Sequence, residues 1–178
     1  MITGGINVTI EIKRLESRHL TQFLHLCREL DAEGAGVSFT RLKSIEDTEE
    51  LLADQRTFLY GAFENDKLLG VFRARQGGPG KEHSCYIAAA LTAASRRQGI
   101  ARKLMNYALK DLKANGIWMI RAWVYSNNHP SICSLLDAGF MWAGTNHCHQ
   151  WDEKEQDYVD DLLFHKDLRA IEAKAAKG

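Results

Sequence analysis

CYIAAALTAASRRQGIARKLMNYALKDLKAN, residues 85–115, is the stretch on which the rest of the chain depends. It opens as an apolar run, Tyr86 to Leu91. It then passes through a short loop carrying Arg96 and Arg97. At Gly99 it turns into a helical pattern: Ile100, Leu104, Ala108 and Leu112 recur every four residues, with Met105 and Leu109 beside them. A strand, a basic glycine loop and a helix in that order present backbone N–H groups to an anion. The first N–H groups of a helix lack intrahelical partners, and the helix dipole is positive at that end. Gly99 and Ala101 keep the loop free of bulk, so a phosphate can approach the backbone. The stretch reads as a pyrophosphate seat.

Composition narrows the field. At 178 residues the chain is one domain long, with room for a substantial core. Lys and Arg number 23 and so do Asp and Glu, giving a formal net charge of zero. Duplex DNA is therefore not expected as a partner, because non-specific binding there rests on net phosphate neutralisation. The charge that does cluster is local: Arg96, Arg97, Arg102 and Lys103. The four cysteines, Cys27, Cys85, Cys133 and Cys148, make no C-x-x-C pair and read as reduced thiols. MITGGINVTIEIKRL has no basic segment followed by an apolar one, and no apolar run is long enough to span a bilayer. A cytoplasmic protein with no membrane partner is expected.

Taken in order, residues 6–12 alternate and predict a strand. Residues 18–30 predict a helix with Leu20, Phe23, Leu24, Cys27 and Leu30 on one face. The connection that follows carries Gly34 and Gly36 and is either a plain loop or a segment that closes over a substrate. Residues 41–55 predict a second helix. Residues 57–64 and 68–75 flank Asn65-Asp66 as a hairpin. The turn at residues 77–80 leads into the strand ending at Leu91. Asn115-Gly116 stops the long helix. Residues 117–125 predict a strand buried on both faces. Asn128 or His129 caps a short helix with Pro130 in its first turn, over Ser131 to Ala138, and Gly139 ends it. Residues 140–150 and 158–165 predict two closing strands around a charged turn. The domain is expected over residues 1–168, with residues 169–178 a tail. The helix from Gly99 is a suitable crossover between parallel neighbours, and the other strands read as antiparallel.

This order and three local motifs resemble the GNAT superfamily of acyl-CoA-dependent N-acetyltransferases, over about residues 8–167. The first motif is Q/R-x-x-G-x-G/A, here Arg96-Arg97-Gln98-Gly99-Ile100-Ala101, between a strand and a helix. The second is the strand end Ala89-Ala90-Leu91, which in the family exposes backbone to the pantetheine arm and the acetyl carbonyl. The third is the block from Asn128 through Ile132 to Gly139-Phe140. The resemblance implies an α/β (α+β) fold: a six- to seven-stranded, mixed but mostly antiparallel sheet with about four helices. It implies acetyl-CoA as co-substrate. It places the CoA contacts at Ala89, Ala90, Leu91, Arg97, Gln98, Gly99, Ile100, Ala101 and Asn128, with Arg96 and Arg102 as nearby positive charge. The chain departs from the family at Leu135, where a tyrosine proposed to protonate the leaving thiolate is usual.

Acetyl transfer needs a deprotonated amine, a polarised thioester carbonyl and a departing thiolate. A thiol with a pKa of about 8.5 leaves readily, so an acid helps but is not obligatory. A backbone N–H around Leu91 would polarise the carbonyl. Substitute acids are Ser134 and Tyr125, ranked equally, with Ser131 and Cys133 behind them. Glu82 and His83, at the start of the strand that ends at Leu91, are the candidate bases. His147 and His149 would face one side of a regular strand, yet two ligands fall short of a zinc site; no metal is expected, and these side chains either line the acceptor pocket or are ordinary surface and core histidines. The four tryptophans are expected mostly in the core, with Trp142 and Trp151 the ones to border a substrate groove. The leading expectation is transfer of an acetyl group from acetyl-CoA to a primary amine of a small molecule, by direct attack in a ternary complex. The rivals are a non-catalytic acyl-CoA-binding module and a protein that binds another diphosphate. A homodimer is the assembly to expect should the chain self-associate.

Overall fold

The computed structural model describes residues 9–169. Eleven elements follow the expected order: β1 (Ile10–Arg14), α1 (Leu20–Ala32), α2 (Ile45–Ala53), β2 (Thr57–Glu64), β3 (Lys67–Gln76), β4 (Ser84–Leu91), α3 (Ile100–Ala114), β5 (Met119–Tyr125), α4 (His129–Asp137), β6 (Met141–Asp152) and β7 (Asp157–Asp167). The strands form one seven-stranded sheet in the order β1-β2-β3-β4-β5-β7-β6. β4 and β5 are parallel, as the α3 crossover predicts, with Ser84 opposite Met119. β1 with β2, β5 with β7, and β6 with β7 are antiparallel. The first three residues of the strand expected over 6–12, and all of the expected tail beyond Arg169, lie outside the described residues.

The chain divides into two compact units. One comprises the described chain up to Arg73 together with Ala88–Ala108; the other comprises Ala74–Ile87 and the chain from Leu109 onward. In the first unit, the apolar face of α1 buries Leu20, Phe23, Leu26, Cys27 and Leu30 against Leu59 and Phe63 of β2 and Leu68 and Val71 of β3. Each such side chain contributes about 1.5–3 kcal/mol of burial free energy. A Ser44 cap starts α2: its hydroxyl oxygen accepts the Asp47 N–H at 3.1 Å, while Asp47 Oδ2 accepts the Ser44 N–H at 3.0 Å. The α3 stripe is buried as its four-residue repeat predicts, with Ile100, Leu104, Ala108 and Leu112 all at 2% exposure or less.

The second unit corrects three expectations. β5 is not buried on both faces: Ile120 and Ala122 are buried while Trp123 is exposed. Its alternation is that of a strand with one packed face. None of the four tryptophans is in the core. Trp118 is half-buried, where His83 stacks on it at 4.7 Å. Trp123, Trp142 and Trp151 are exposed at 39%, 64% and 39%. β6 is an edge strand with two irregularities in its register, the second between Asn146 and Gln150. Cys148, at φ 49°, sits inside that bulge, so the two-residue period that would align His147 with His149 is broken.

Candidate active site

The loop between β4 and α3 is built to leave donors free. Ser95 and Arg96 direct their N–H groups back to Thr92 and Ala93. The chain then turns through two left-handed residues, Arg97 at φ 63° and Gly99 at φ 73°. Alternating left-handed residues of this kind turn successive N–H groups toward one concavity. The first N–H of this helical turn to find an acceptor is that of Lys103, bonded to the Gly99 carbonyl at 3.2 Å. Among the described residues, no backbone carbonyl accepts from the N–H groups of Arg97, Gln98, Gly99, Ile100, Ala101 or Arg102. A Cβ placed on Gly99 would meet nothing within 4 Å. Open space beside unused donors at a helix N-terminus fits a diphosphate.

The side chains divide in their tasks. Arg97, Gln98, Gly99 and Ala101 are exposed, while Ile100 is buried and anchors the helix. Gln98 donates from Nε2 to the Ala94 carbonyl at 2.8 Å, which braces the loop. Arg97 and Arg102 are exposed and have no carboxylate partner among the described residues. Arg96 behaves differently. Its Nε and Nη2 both donate to the Leu91 carbonyl, at 3.2 and 3.1 Å, and Nη2 also donates to Glu33 Oε2 at 2.5 Å. Ala89 is exposed, Ala90 half-buried and Leu91 buried. In the same unit, a cleft of about 780 Å³ runs past Gln22, His25, Glu29 and Glu33 to Thr92, Ala93 and Ala94.

The second unit holds the residues proposed from sequence for proton transfer and for the end of the cofactor. Tyr125 ends β5, is half-buried, and its hydroxyl has no hydrogen-bond partner among the described residues. It lies opposite Asp161 of β7 in register, so the two side chains share one face. Burial raises the Asp161 carboxyl above its ordinary value, with His149 Nε2 at 3.9 Å acting the other way. Ser134 is engaged differently: it donates its hydroxyl to the Pro130 carbonyl, one turn back on α4, at 2.8 Å. Asn128 is the helix cap, its Oδ1 accepting the Ser131 N–H at 3.3 Å. Leu135 is a buried residue at 5% exposure.

Glu82 and His83 stand before β4, at the opposite end of that eight-residue strand from Leu91. At ~3.3 Å per residue the strand is about 26 Å long. Glu82 is spent on its turn: its carboxylate accepts the Gly80 N–H at 3.0 Å, and backbone hydrogen bonds hold its pKa below the ordinary value. His147 and His149 meet Asp160 and Asp161 separately, and no three His, Cys, Asp or Glu side chains among the described residues are grouped to hold a metal.

Sequence reasoning missed Glu33 and Asp161; it singled out His149 but not the Asp161 carboxylate 3.9 Å from it. Glu33 pairs with an arginine 63 positions away, and no local pattern carries such a partner. The pairing of Asp161 with His149 becomes visible only through strand register.

Comparison with known proteins joins these observations. A sequence search of curated proteins returned no match. The fold matches many solved structures. An acetyltransferase of the GNAT family from Streptococcus pneumoniae superposes with a TM-score of 0.79 at 15% identity, covering 89% of this chain and 99% of its own. A ribosomal-protein-alanine N-acetyltransferase from Brucella melitensis gives 0.78 at 18% identity, with coverage of 89% and 99%. A structure from Salmonella typhimurium, solved with its cofactor acetyl-CoA, gives 0.79 at 15% identity, with coverage of 89% and 94%. These likenesses establish the fold. The family model for GNAT acetyltransferases matches residues 24–140, which takes in most of α1, the loop from Arg96 to Ala101 and α4 with the Gly139 that follows it. The chain thus belongs to the acetyltransferase (GNAT) family, whose co-substrate is acetyl-CoA.

Proposed function

We propose that the protein transfers an acetyl group from acetyl-CoA to a primary amine, by direct attack within a ternary complex. The observation that carries this is the run of unused N–H groups from Arg97 to Arg102 beside the open space at Gly99. Arg97 to Ala101 would hold the diphosphate through backbone N–H groups, with the Arg97 and Arg102 side chains adding charge. Ala89, Ala90 and Leu91 would meet the pantetheine arm. Asn128, which keeps its amide donors beyond the cap, would meet the cofactor as well. Bound acetyl-CoA supplies a thioester whose thiolate, with a pKa of about 8.5, is a fair leaving group.

The chain's own residues handle the protons. As the amine nitrogen bonds to the carbonyl carbon and the C–S bond breaks, Tyr125 gives its phenol proton to the sulfur. Its hydroxyl is uncommitted, whereas that of Ser134 is bonded to its own helix. Tyr125 therefore takes the part that Leu135 cannot. The amine proton goes to the His149–Asp161 pair, whose Asp161 shares a strand face with Tyr125. Glu82 and His83, engaged elsewhere, take no part. A small-molecule amine fits the neutral overall charge. The ribosomal-protein enzyme among the structural neighbours makes a peptide N-terminus the second acceptor to test.

The test is free-thiol release from acetyl-CoA in the presence of a panel of small amines and N-terminal peptides. Turnover on one of them, falling about 100-fold in Tyr125→Phe with unchanged CoA affinity, is the expected outcome. CoA binding with no turnover on any acceptor would identify an acyl-CoA-binding module instead.

A further inference from the structure

We propose that Arg96, held by Glu33, is a positioning residue for the end of β4 and not a ligand of the diphosphate. The inference rests on the acetyl-CoA reading of the loop. Its starting point is the peptide group that joins Leu91 to Thr92. The carbonyl of that group accepts two bonds from Arg96, at 3.2 and 3.1 Å. Its N–H, that of Thr92, donates to the Leu69 carbonyl of β3 at 2.9 Å. Both polar ends are therefore occupied, and the plane of this peptide is fixed. Thr92 Oγ1 lies 2.7 Å from Ser95 Oγ, so the turn is closed on its side chains as well.

Glu33 completes the arrangement. It follows α1, and its carboxylate receives the Nη2 of Arg96. The guanidinium is thus oriented by a carboxylate on one side and a carbonyl on the other, a planar-fork geometry that lysine cannot reproduce. Arg96 already has a counter-charge; Arg97 and Arg102 have none among the described residues. Those two are the cations left for a phosphate. To reach the diphosphate, Arg96 would have to give up three bonds and release the strand end.

The end of β4 is where a backbone N–H would polarise the acetyl carbonyl. A donor there acts through its direction, and a small misplacement lowers the chemical step without weakening ground-state binding. Arg96 and Glu33 should therefore act on kcat rather than on CoA affinity. They also tie the end of α1 to the cofactor loop.

The experiment uses the full chain and four variants: Arg96→Lys, Glu33→Ala, Glu33→Gln and Arg97→Ala. Three quantities are read: the Kd for CoA by calorimetry, kcat on the best acceptor of the panel, and the hydrogen-exchange rate of the Thr92 amide by NMR. In Arg96→Lys and Glu33→Ala the Thr92 amide is expected to exchange at least about tenfold faster. In the same variants kcat is expected to drop about tenfold or more, while Kd stays within about threefold of the parent. Glu33→Gln, which keeps an acceptor oxygen, falls between the parent and Glu33→Ala. Arg97→Ala shows the reverse, a weaker Kd with unchanged Thr92 exchange. A rise of about tenfold in Kd for Arg96→Lys with unchanged Thr92 exchange would overturn the proposal and make Arg96 a diphosphate ligand. If the parent chain fails to bind CoA, the acetyl-CoA reading falls, and Thr92 exchange still decides whether Arg96 and Glu33 hold the strand end.

Discussion

Gly99 and Gly116 allow backbone strain to be separated from ligand contact. Both have left-handed backbone, at φ 73° and 81°, and a Cβ on either would meet nothing within 4 Å. Alanine at either position therefore carries the same backbone cost, about 1 kcal/mol, and no steric clash within the protein. For a chain of 178 residues that cost corresponds to a Tm lower by about 3 °C. The two sites differ in what lies outside the protein. Gly99 borders the unused N–H groups, whereas Gly116 follows the far end of α3. With the diphosphate against the Gly99 backbone, an added methyl group displaces it, and a loss of about tenfold in CoA affinity, or ~1.4 kcal/mol, is the least to expect. Differential scanning calorimetry gives the first quantity and isothermal titration with CoA the second. Both variants lose the same stability, and only Gly99→Ala loses affinity. Equal CoA affinity in the two variants would refute the placement of the diphosphate, whatever their stability.

Three further outcomes follow from side-chain environments. Burial pushes the thiols of Cys27 and Cys85 up to about 12, whereas Cys133 and Cys148 are exposed; a thiol-reactive probe at pH 8 should label two cysteines in the native protein and four after denaturation. Hydrogen bonds from the Lys43 and Ser44 N–H groups hold the Asp47 carboxyl below its ordinary value of 3.8. Its folded-state pKa is depressed, so its contribution is present above that value and lost as pH falls through the folded pKa. Asp47→Asn should therefore be less stable than the parent in urea at pH 7, with the difference shrinking at pH 3. Leu135 is 5% exposed, so Leu135→Tyr overpacks a buried position at a cost of about 1–3 kcal/mol; a lower Tm with no gain in kcat is expected, and a gain would show that Tyr125 is not the acid.

The legible parts of the fold are those written in local spacing. The α3 stripe, the hairpin at Asn65-Asp66 and the cap at Asn128 each depend on residues within a few positions of one another, and each forms where predicted. The parallel pairing of β4 with β5 was legible because a helix of α3's length leaves a crossover as the simplest connection. Burial was less legible. Tryptophan composition suggests a core, yet Trp142 lies 64% exposed, because a strand at the sheet edge has no neighbour to cover it. Arg97 adopts a left-handed backbone that its residue type does not signal. The site divides in the same way. The glycine loop is a contiguous motif, while Glu33, which holds Arg96, and Asp161, which lies opposite Tyr125, come from a distant segment and from strand register.

The central claim is that CoA lies on the backbone from Arg97 to Arg102. Titration of isotopically labelled protein with CoA, followed by amide NMR, tests it most directly. The expected result is a saturable shift of the Arg97, Gln98, Gly99, Ile100, Ala101 and Arg102 amides at one equivalent, with the Asn115 and Gly116 amides unmoved. Saturable binding that leaves those six amides in place would contradict it.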